Sequence, residues 1–185
     1  MDTFEPYPVR ETYRLIEPGP TVLISTSDGA RDNLMTNAFN MPVRHDGILA
    51  VVVGTWDASF ATLQKSRQCV IGIPGAELMR TTVEVGNCSG EDVDKWEHFG
   101  LTRVPGVSVA APLIGECVAN IECKVEDDSL VEDYSLWLLR ATAAWIRPGA
   151  DLTSEFHHVR FYRHANELPR SGANKRIFRP TGAVM

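Results

Sequence analysis

Two β-prone runs joined across an Asp-Gly pair constrain this chain more than any other feature. Thr21 to Thr26 leads into the turn Ser27-Asp28-Gly29-Ala30, which is followed by Asn33-Leu34-Met35-Thr36-Asn37-Ala38-Phe39-Asn40. Glycine tolerates the positive φ of a tight turn, so the pattern predicts a β-hairpin. Side chains alternate along a strand, which puts Asn33, Met35, Asn37 and Phe39 on one face and Leu34, Thr36, Ala38 and Asn40 on the other. Neither face is purely apolar. Such a strand can line a flat polar ligand, with main-chain groups meeting heteroatoms and Met and Phe meeting ring carbons. A half-exposed hairpin strand is the plainer alternative, and these residues alone leave both open.

Composition narrows the class. At 185 residues the chain can build one domain with a sizeable core. A formal charge of -6 argues against a nucleic-acid partner, which would call for a basic excess. The absence of a run of about 18 apolar residues argues against a transmembrane helix. Met1 to Pro6 lacks the basic and apolar regions of a secretory leader, so a cytoplasmic protein is expected. Cys69, Cys88, Cys117 and Cys123 form no Cys-x-x-Cys pair, and Cys117 and Cys123 are placed along one strand, too far apart for a disulfide. They read as reduced, buried small hydrophobes. No metal site is expected, because the neighbours His157 and His158 would point to opposite faces of a strand and His45, His98 and His164 are scattered.

In chain order, residues 1–20 read as an extended arm, since Pro6, Pro8, Pro18 and Pro20 block helix and central-strand roles. The continuous apolar run Ile48 to Val53 predicts a buried strand, broken by Gly54-Thr55-Trp56-Asp57. Asp57 or Ser59 is then placed to cap a helix through Arg67, with Phe60, Leu63 and Gln64 turned inward. The start of that helix offers unpaired N–H groups, joined by the hydroxyls of Ser59 and Thr62, which is the chemistry of a phosphate site. Ser59 as a simple N-cap is the alternative, and the two roles can coexist.

Cys69 to Ile73 predicts another short strand, Ala76 to Val85 a helix, and the acids Glu91 to Asp94 the start of a further helix carrying Lys95 and Trp96 one turn in. Trp96 reads as a core anchor. Gly100 to Ala111 is expected to be irregular, Leu113 to Val125 a strand, and the acidic stretch up to Tyr134 a solvated loop without the glycine of a calcium-binding EF-hand. Tyr134 to Ile146 is the longest expected strand and His157 to Arg163 the last. Neither a dinucleotide-binding Gly-x-Gly-x-x-Gly nor a P-loop is present.

Taken together, Asn33-x-Met35-Thr36-x-Ala38, Met41-Pro42-Val43, the strand Ile48 to Gly54, Ser59 and Ser66, Asp94-Lys95-Trp96, Pro112 to Glu116 and Ile121-Glu122-Cys123 form an ordered series. In that order and spacing, over residues 18–165, the chain resembles the flavin reductase-like FMN-binding split-barrel proteins. The resemblance implies a mainly β fold with short helices, an FMN-binding split β-barrel over residues 21–165 flanked by the arm and a tail over 166–185. It implies a homodimer with the flavin near the subunit interface, a role suited also to cover an exposed Trp137 or Trp145 face.

The cofactor implied is FMN, with NADH or NADPH as co-substrate and no catalytic side chain, because the flavin carries the redox chemistry. Asn33, Thr36 and Asn37 are expected at the ring or ribityl chain, with Met35, Ala38 and Phe39 beside them. Gly54 and Thr55 are expected to approach through main chain, and Ser59, Thr62 and Lys95 to hold the phosphate or ring edge. A solvated surface lysine is the ordinary alternative for Lys95. Phe178 is the one aromatic of the tail that the family pattern would let close over the ligand. Tyr134-Ser135 stands where many such reductases carry Gly-Asp-His, and Phe39 where flavoredoxin-like members often have a larger aromatic. These departures leave three functions open: an NAD(P)H-dependent flavin reductase; an FMN electron carrier or the reductase component of a two-component monooxygenase; and a flavin-free structural or sensing protein.

Overall fold

A computed structural model describes residues 20–148 of the chain. The expectations for the arm, for His157, His158 and His164, for the strand His157 to Arg163 and for Phe178 lie outside the described residues. The Asp-Gly hairpin forms: β1 (Val22–Ser27) pairs antiparallel with β2 (Asp32–Asn37), and Gly29 takes φ +87° in the turn. The Asp28 side chain accepts the N–H groups of Ala30 and Arg31 and holds that turn closed.

The elements that follow are β3 (Asn40–Arg44), β4 (Ile48–Val52), α1 (Phe60–Ser66), β5 (Gln68–Ile73), a 3-10 turn (Ala76–Leu78) and α2 (Met79–Gly86). Then come α3 (Lys95–His98), β6 (Arg103–Val104), β7 (Leu113–Ile114), β8 (Ala119–Asp127), α4 (Val131–Tyr134) and β9 (Leu136–Ile146). Seven strands form one antiparallel sheet in the order β2-β1-β5-β8-β9-β4-β3, and β6 pairs with β7 apart from it.

The sheet curls into a half-barrel whose end strands β2 and β3 are joined by a corner. Val52 of β4 donates its N–H to the Phe39 carbonyl, and its own carbonyl accepts the Asn37 side-chain amide. The expected strand from Asn33 to Asn40 is therefore divided at a corner after Asn37. There Asn40 donates to the Pro20 carbonyl and to Asn37 Oδ1, so two side-chain amides replace ladder bonds.

Strand alternation separates two cores. Val22 and Ile24 face inward with Val51, Val53, Leu63, Cys69, Cys123, Trp137 and Leu139, with Met35 and Phe60 against them. Leu23 and Leu34 face outward under α2, α3 and the β6-β7 segment, packed with Val85, Trp96, Leu101 and Ile114.

Several expectations are corrected. Cys117 lies in the loop before β8 and not in one strand with Cys123; Cys123 instead stands opposite Cys69 across β5 and β8. Gln64 is exposed, leaving Leu63 as the buried residue of α1. The helix after Gly90 is a single turn beginning at Lys95, since Asp94 supplies the cap by accepting from the N–H groups of Trp96 and Glu97. The longest strand starts at Leu136, because α4 ends on Ser135 at φ 55°. Trp137 is fully buried, its indole N–H donated to the Val53 carbonyl, whereas Trp145 keeps 43% of its surface exposed.

The acidic stretch is partly engaged, as Glu126 pairs with Arg140 and Asp128 with Arg67. Glu122, buried in β8, accepts the N–H groups of Val107, Ser108 and Val109, the Ser108 hydroxyl and the Trp145 indole N–H, and so fastens the loop after β6 to the sheet.

Candidate functional site

The Gly54 to Asp57 turn sets where α1 begins. Asp57 N–H donates to the Gly54 carbonyl, and the Asp57 carboxylate accepts Gly54 N–H at 2.9 Å. The turn leaves Ser59 at the N-cap position, but its side chain does not cap. Instead Ser59 Oγ, buried, accepts the side-chain amide of Asn33 at 2.9 Å. Because Oγ accepts from Asn33, the Ser59 hydroxyl proton remains free to donate. Of the first-turn N–H groups, Phe60 donates to the Asp57 carbonyl, while the next two have no acceptor within the helix. Thr62 follows one turn later on the same face.

Asn33 reaches Ser59 because it sits on the inner face of β2, opposite Thr26, at the end nearest α1. It also meets the loop that leads to α3: a Cβ on Gly90 would lie 1.9 Å from Asn33 Oδ1, so a larger residue there would displace the Asn33 amide. Arg31 ties the same loop by donating to the Gly90 carbonyl.

Lys95 enters from that loop. It is only 5% exposed, and its Nζ donates at 2.9 Å to the Val85 carbonyl in the last turn of α2, where helix carbonyls attract a cation. Among the described residues no carboxylate lies within ion-pair distance of Nζ. Burial pushes the Lys95 ammonium down from its ordinary value, opposed by Cys88 and Asp57. Burial likewise pushes Asp57 up, against the Gly54 N–H and the charge of Lys95. Cys88 shares the Val85 carbonyl at 3.7 Å, and burial raises its thiol while Lys95 pulls it down.

The other expected residues divide. Gly54 and Thr55 belong to the turn before Ser59, with Thr55 exposed. The Trp56 ring lies against Gly54, where a Cβ would meet it at 2.3 Å. Met35 lines the inner core. Thr36 turns to the outer layer and donates to the Thr82 carbonyl at 2.5 Å. Asn37 is buried and its amide is engaged with Val52 at the corner. Ala38 and Phe39 form that corner, Phe39 with 46% of its surface exposed. Asn33, Ser59, Gly54 and Thr55 are thus adjacent, with Lys95 approaching through the loop that packs on Asn33.

Three contributors are absent from the expected set: Asp57 as the carboxylate sensed by Lys95, Trp56 over the turn, and Arg103, which contacts both Asp32 and Asp94. The Gly-x-x-Asp spacing of the turn was the available signal for Asp57; none marks Arg103. Among the described residues no three His, Cys, Asp or Glu side chains come together as a metal site. No helix among them is long and apolar enough to cross a membrane.

The family model for the flavin reductase like domain matches residues 14–165. Over 131 residues the chain is 35% identical to the uncharacterized protein YddH of Escherichia coli (strain K12), covering 68% of each. Among solved structures, flavoredoxin of Desulfovibrio vulgaris (Miyazaki F) is similar with a TM-score of 0.66 at 26% identity, over 71% of each chain. An FMN-binding domain of a flavin reductases-like enzyme from Shewanella baltica OS155 gives 0.65 at 25% identity, over 76% of this chain and 75% of that one.

Proposed function

We propose a function from one premise: this chain belongs to the flavin reductase-like family and has the mainly β fold of its FMN-binding neighbours. It is an FMN-binding flavoprotein, and the reading best supported is an NAD(P)H-dependent flavin reductase.

The observation that carries flavin binding is Lys95. A buried ammonium with one carbonyl acceptor and no carboxylate partner among the described residues is costly unless an anion joins it. A phosphate fits this need, and Ser59, whose oxygen accepts from Asn33, keeps a hydroxyl proton to donate at the start of α1. The donor set therefore suits the phosphate end of FMN. Ser59, Thr62 and Lys95 would hold that end, while Asn33 orients Ser59 and, with the main chain of Gly54 and Thr55, lines the approach to the ring. Since the side chains of Thr36 and Asn37 are engaged within the protein, their segment would meet a ligand through main-chain groups up to Ala38. Met35 and Phe39 would supply apolar wall.

When bound, FMN would accept a hydride from NADH or NADPH. The protein's part is to bind, orient and exclude water, and no side chain is required as acid or base. A homodimer is part of this reading, as the half-exposed Trp145 on β9 and Phe39 at the corner offer apolar surface for a second copy.

A second reading, an FMN electron carrier or the reductase component of a two-component monooxygenase, is favoured by Tyr134-Ser135. These residues close α4 with Tyr134 67% exposed, where many reductases of this type carry Gly-Asp-His. The test is an absorption spectrum of the purified protein with FMN, followed by anaerobic titration with NADH and then NADPH. Flavin bands that bleach with a nucleotide establish the reductase and its donor. Bands that bleach only with dithionite establish a carrier fed by another protein, and no retained flavin returns the chain to a structural or sensing role.

A further inference from the structure

Lys95 is the first residue of a one-turn helix, and a single turn has almost no stability of its own. Its orientation must come from neighbours. One side chain reaches the residues on both sides of it. Arg103 of β6 donates through Nη2 to both Asp94 carboxylate oxygens, at 2.9 and 2.7 Å, and its guanidinium lies 5.2 Å from the centre of the Trp96 ring. Asp94 is the residue whose carboxylate caps α3, and Trp96 is wholly buried in the outer core.

The same guanidinium extends to the other half of the site. Arg103 Nε lies 3.2 Å from Asp32 Oδ2, and Asp32 immediately precedes Asn33, the donor to Ser59. Arginine can do this because its planar fork offers several fixed donors, whereas an ammonium presents one compact charge. The β6-β7 segment that carries it is closed on itself, with the Glu116 carboxylate accepting Thr102 N–H and Arg103 in register with Ile114. It therefore bridges β2 and α3 from a segment that is itself held in place.

We propose that Arg103 is a positioning residue that sets the spacing between the two halves of the phosphate site, Asn33-Ser59 on one side and Lys95 on the other. It holds them by pairing with Asp32 and Asp94 and stacking on Trp96. The inference rests on the reading of Lys95 as a phosphate-holding residue. Arg103 touches neither Lys95 nor Ser59 by any hydrogen bond or ion pair, so its effect passes through the neighbours of those residues. It should therefore discriminate between ligands that have a phosphate and ligands that lack one.

The experiment measures the affinities of FMN and riboflavin for the full chain and for Arg103→Ala, Arg103→Lys, Asp32→Asn and Lys95→Ala, each checked for native circular dichroism. Arg103→Ala should weaken FMN about fivefold and leave riboflavin within about twofold, the size expected when a multidentate charged pair is lost. Arg103→Lys should restore part of the difference, because an ammonium can pair with one acid but not span both. Asp32→Asn removes the tether to β2 while the α3 cap stays intact, so it tests the bridge even if Arg103→Ala does not fold. It should shift the FMN to riboflavin ratio in the same direction by about twofold. Arg103→Ala or Asp32→Asn weakening both ligands equally, or neither, while Lys95→Ala selectively loses FMN, overturns the role of Arg103 and leaves the phosphate reading standing. Lys95→Ala leaving the ratio unchanged overturns both.

Discussion

Glu122 and Lys95 are both buried charges, and the protein treats them in opposite ways. The Glu122 carboxylate receives three backbone N–H groups, a hydroxyl and an indole N–H, all from this chain. Burial alone would push that carboxyl up, but the bonds from Trp145, Ser108 and Val107 outweigh it and hold it down at about 2. The Lys95 ammonium receives one carbonyl, and burial dominates, pushing it down. A charge whose partners are all internal fastens structure; a charge left short of partners is the one that the proposed phosphate would complete.

The largest effect that would break this contrast is on stability. Glu122→Ala strands three backbone donors and the Trp145 indole, and should cost about 3 kcal/mol of unfolding free energy in urea. The FMN to riboflavin affinity ratio of the folded protein should not move. A selective loss of FMN in that variant would mean that Glu122 also serves the ligand, and the contrast would collapse.

The same carboxylate sets an acid limb. Its folded value of about 2 lies below the ordinary 4.5, so its contribution to stability is complete above about 4.5 and is lost as the pH falls toward 2. Urea midpoints of the native chain should fall across that window, and those of Glu122→Gln should fall less steeply. Parallel slopes for the two proteins would assign the limb to other carboxylates.

Lys95 should behave in the reverse sense. Lys95→Met removes a buried ammonium and keeps the volume, so the ligand-free protein should be no less stable than the native chain. FMN affinity should fall by about 2 kcal/mol, through loss of a charge-assisted bond. A destabilised but fully FMN-binding Lys95→Met would show that the Val85 contact is structural and that the ammonium lacks a ligand role.

The difference between these two residues also explains what could be read in the sequence. Asp28-Gly29 announces its hairpin because the turn is local, and Ile48 to Val53 announces a buried strand because no polar residue interrupts it. The start of α1 near Ser59 is legible for the same reason, and the ordered series from Asn33 to Cys123 pointed to the family. The division of the strand at Asn37 was not legible, since the bonds that turn the corner come from Val52 and Pro20. Nor was the burial of Lys95, which depends on α2 and the outer core closing over a residue type that is ordinarily exposed. Glu122 appeared as one letter of a motif, while its donors lie at 107–109 and 145. Local chemistry shows in sequence, and partners brought by the curl of the sheet do not.

Ser59 offers the finest test, because its hydroxyl belongs partly to each category. Its oxygen accepts internally from Asn33, as the Glu122 oxygens accept from their loop, which leaves its own proton available to donate. If that proton serves the phosphate, Ser59→Ala should weaken FMN by about 1 kcal/mol, one neutral donor to a charged acceptor, and riboflavin by less. The substitution also leaves the Asn33 amide without its acceptor, a cost carried by the protein with either ligand and therefore cancelled in the ratio. Ser59→Thr keeps the hydroxyl and should retain most of the selectivity, provided the added methyl fits beside Asn33. Equal losses for FMN and riboflavin in Ser59→Ala would place the hydroxyl wholly on the structural side, with Asn33 as its only partner, and leave Lys95 to carry the anion alone.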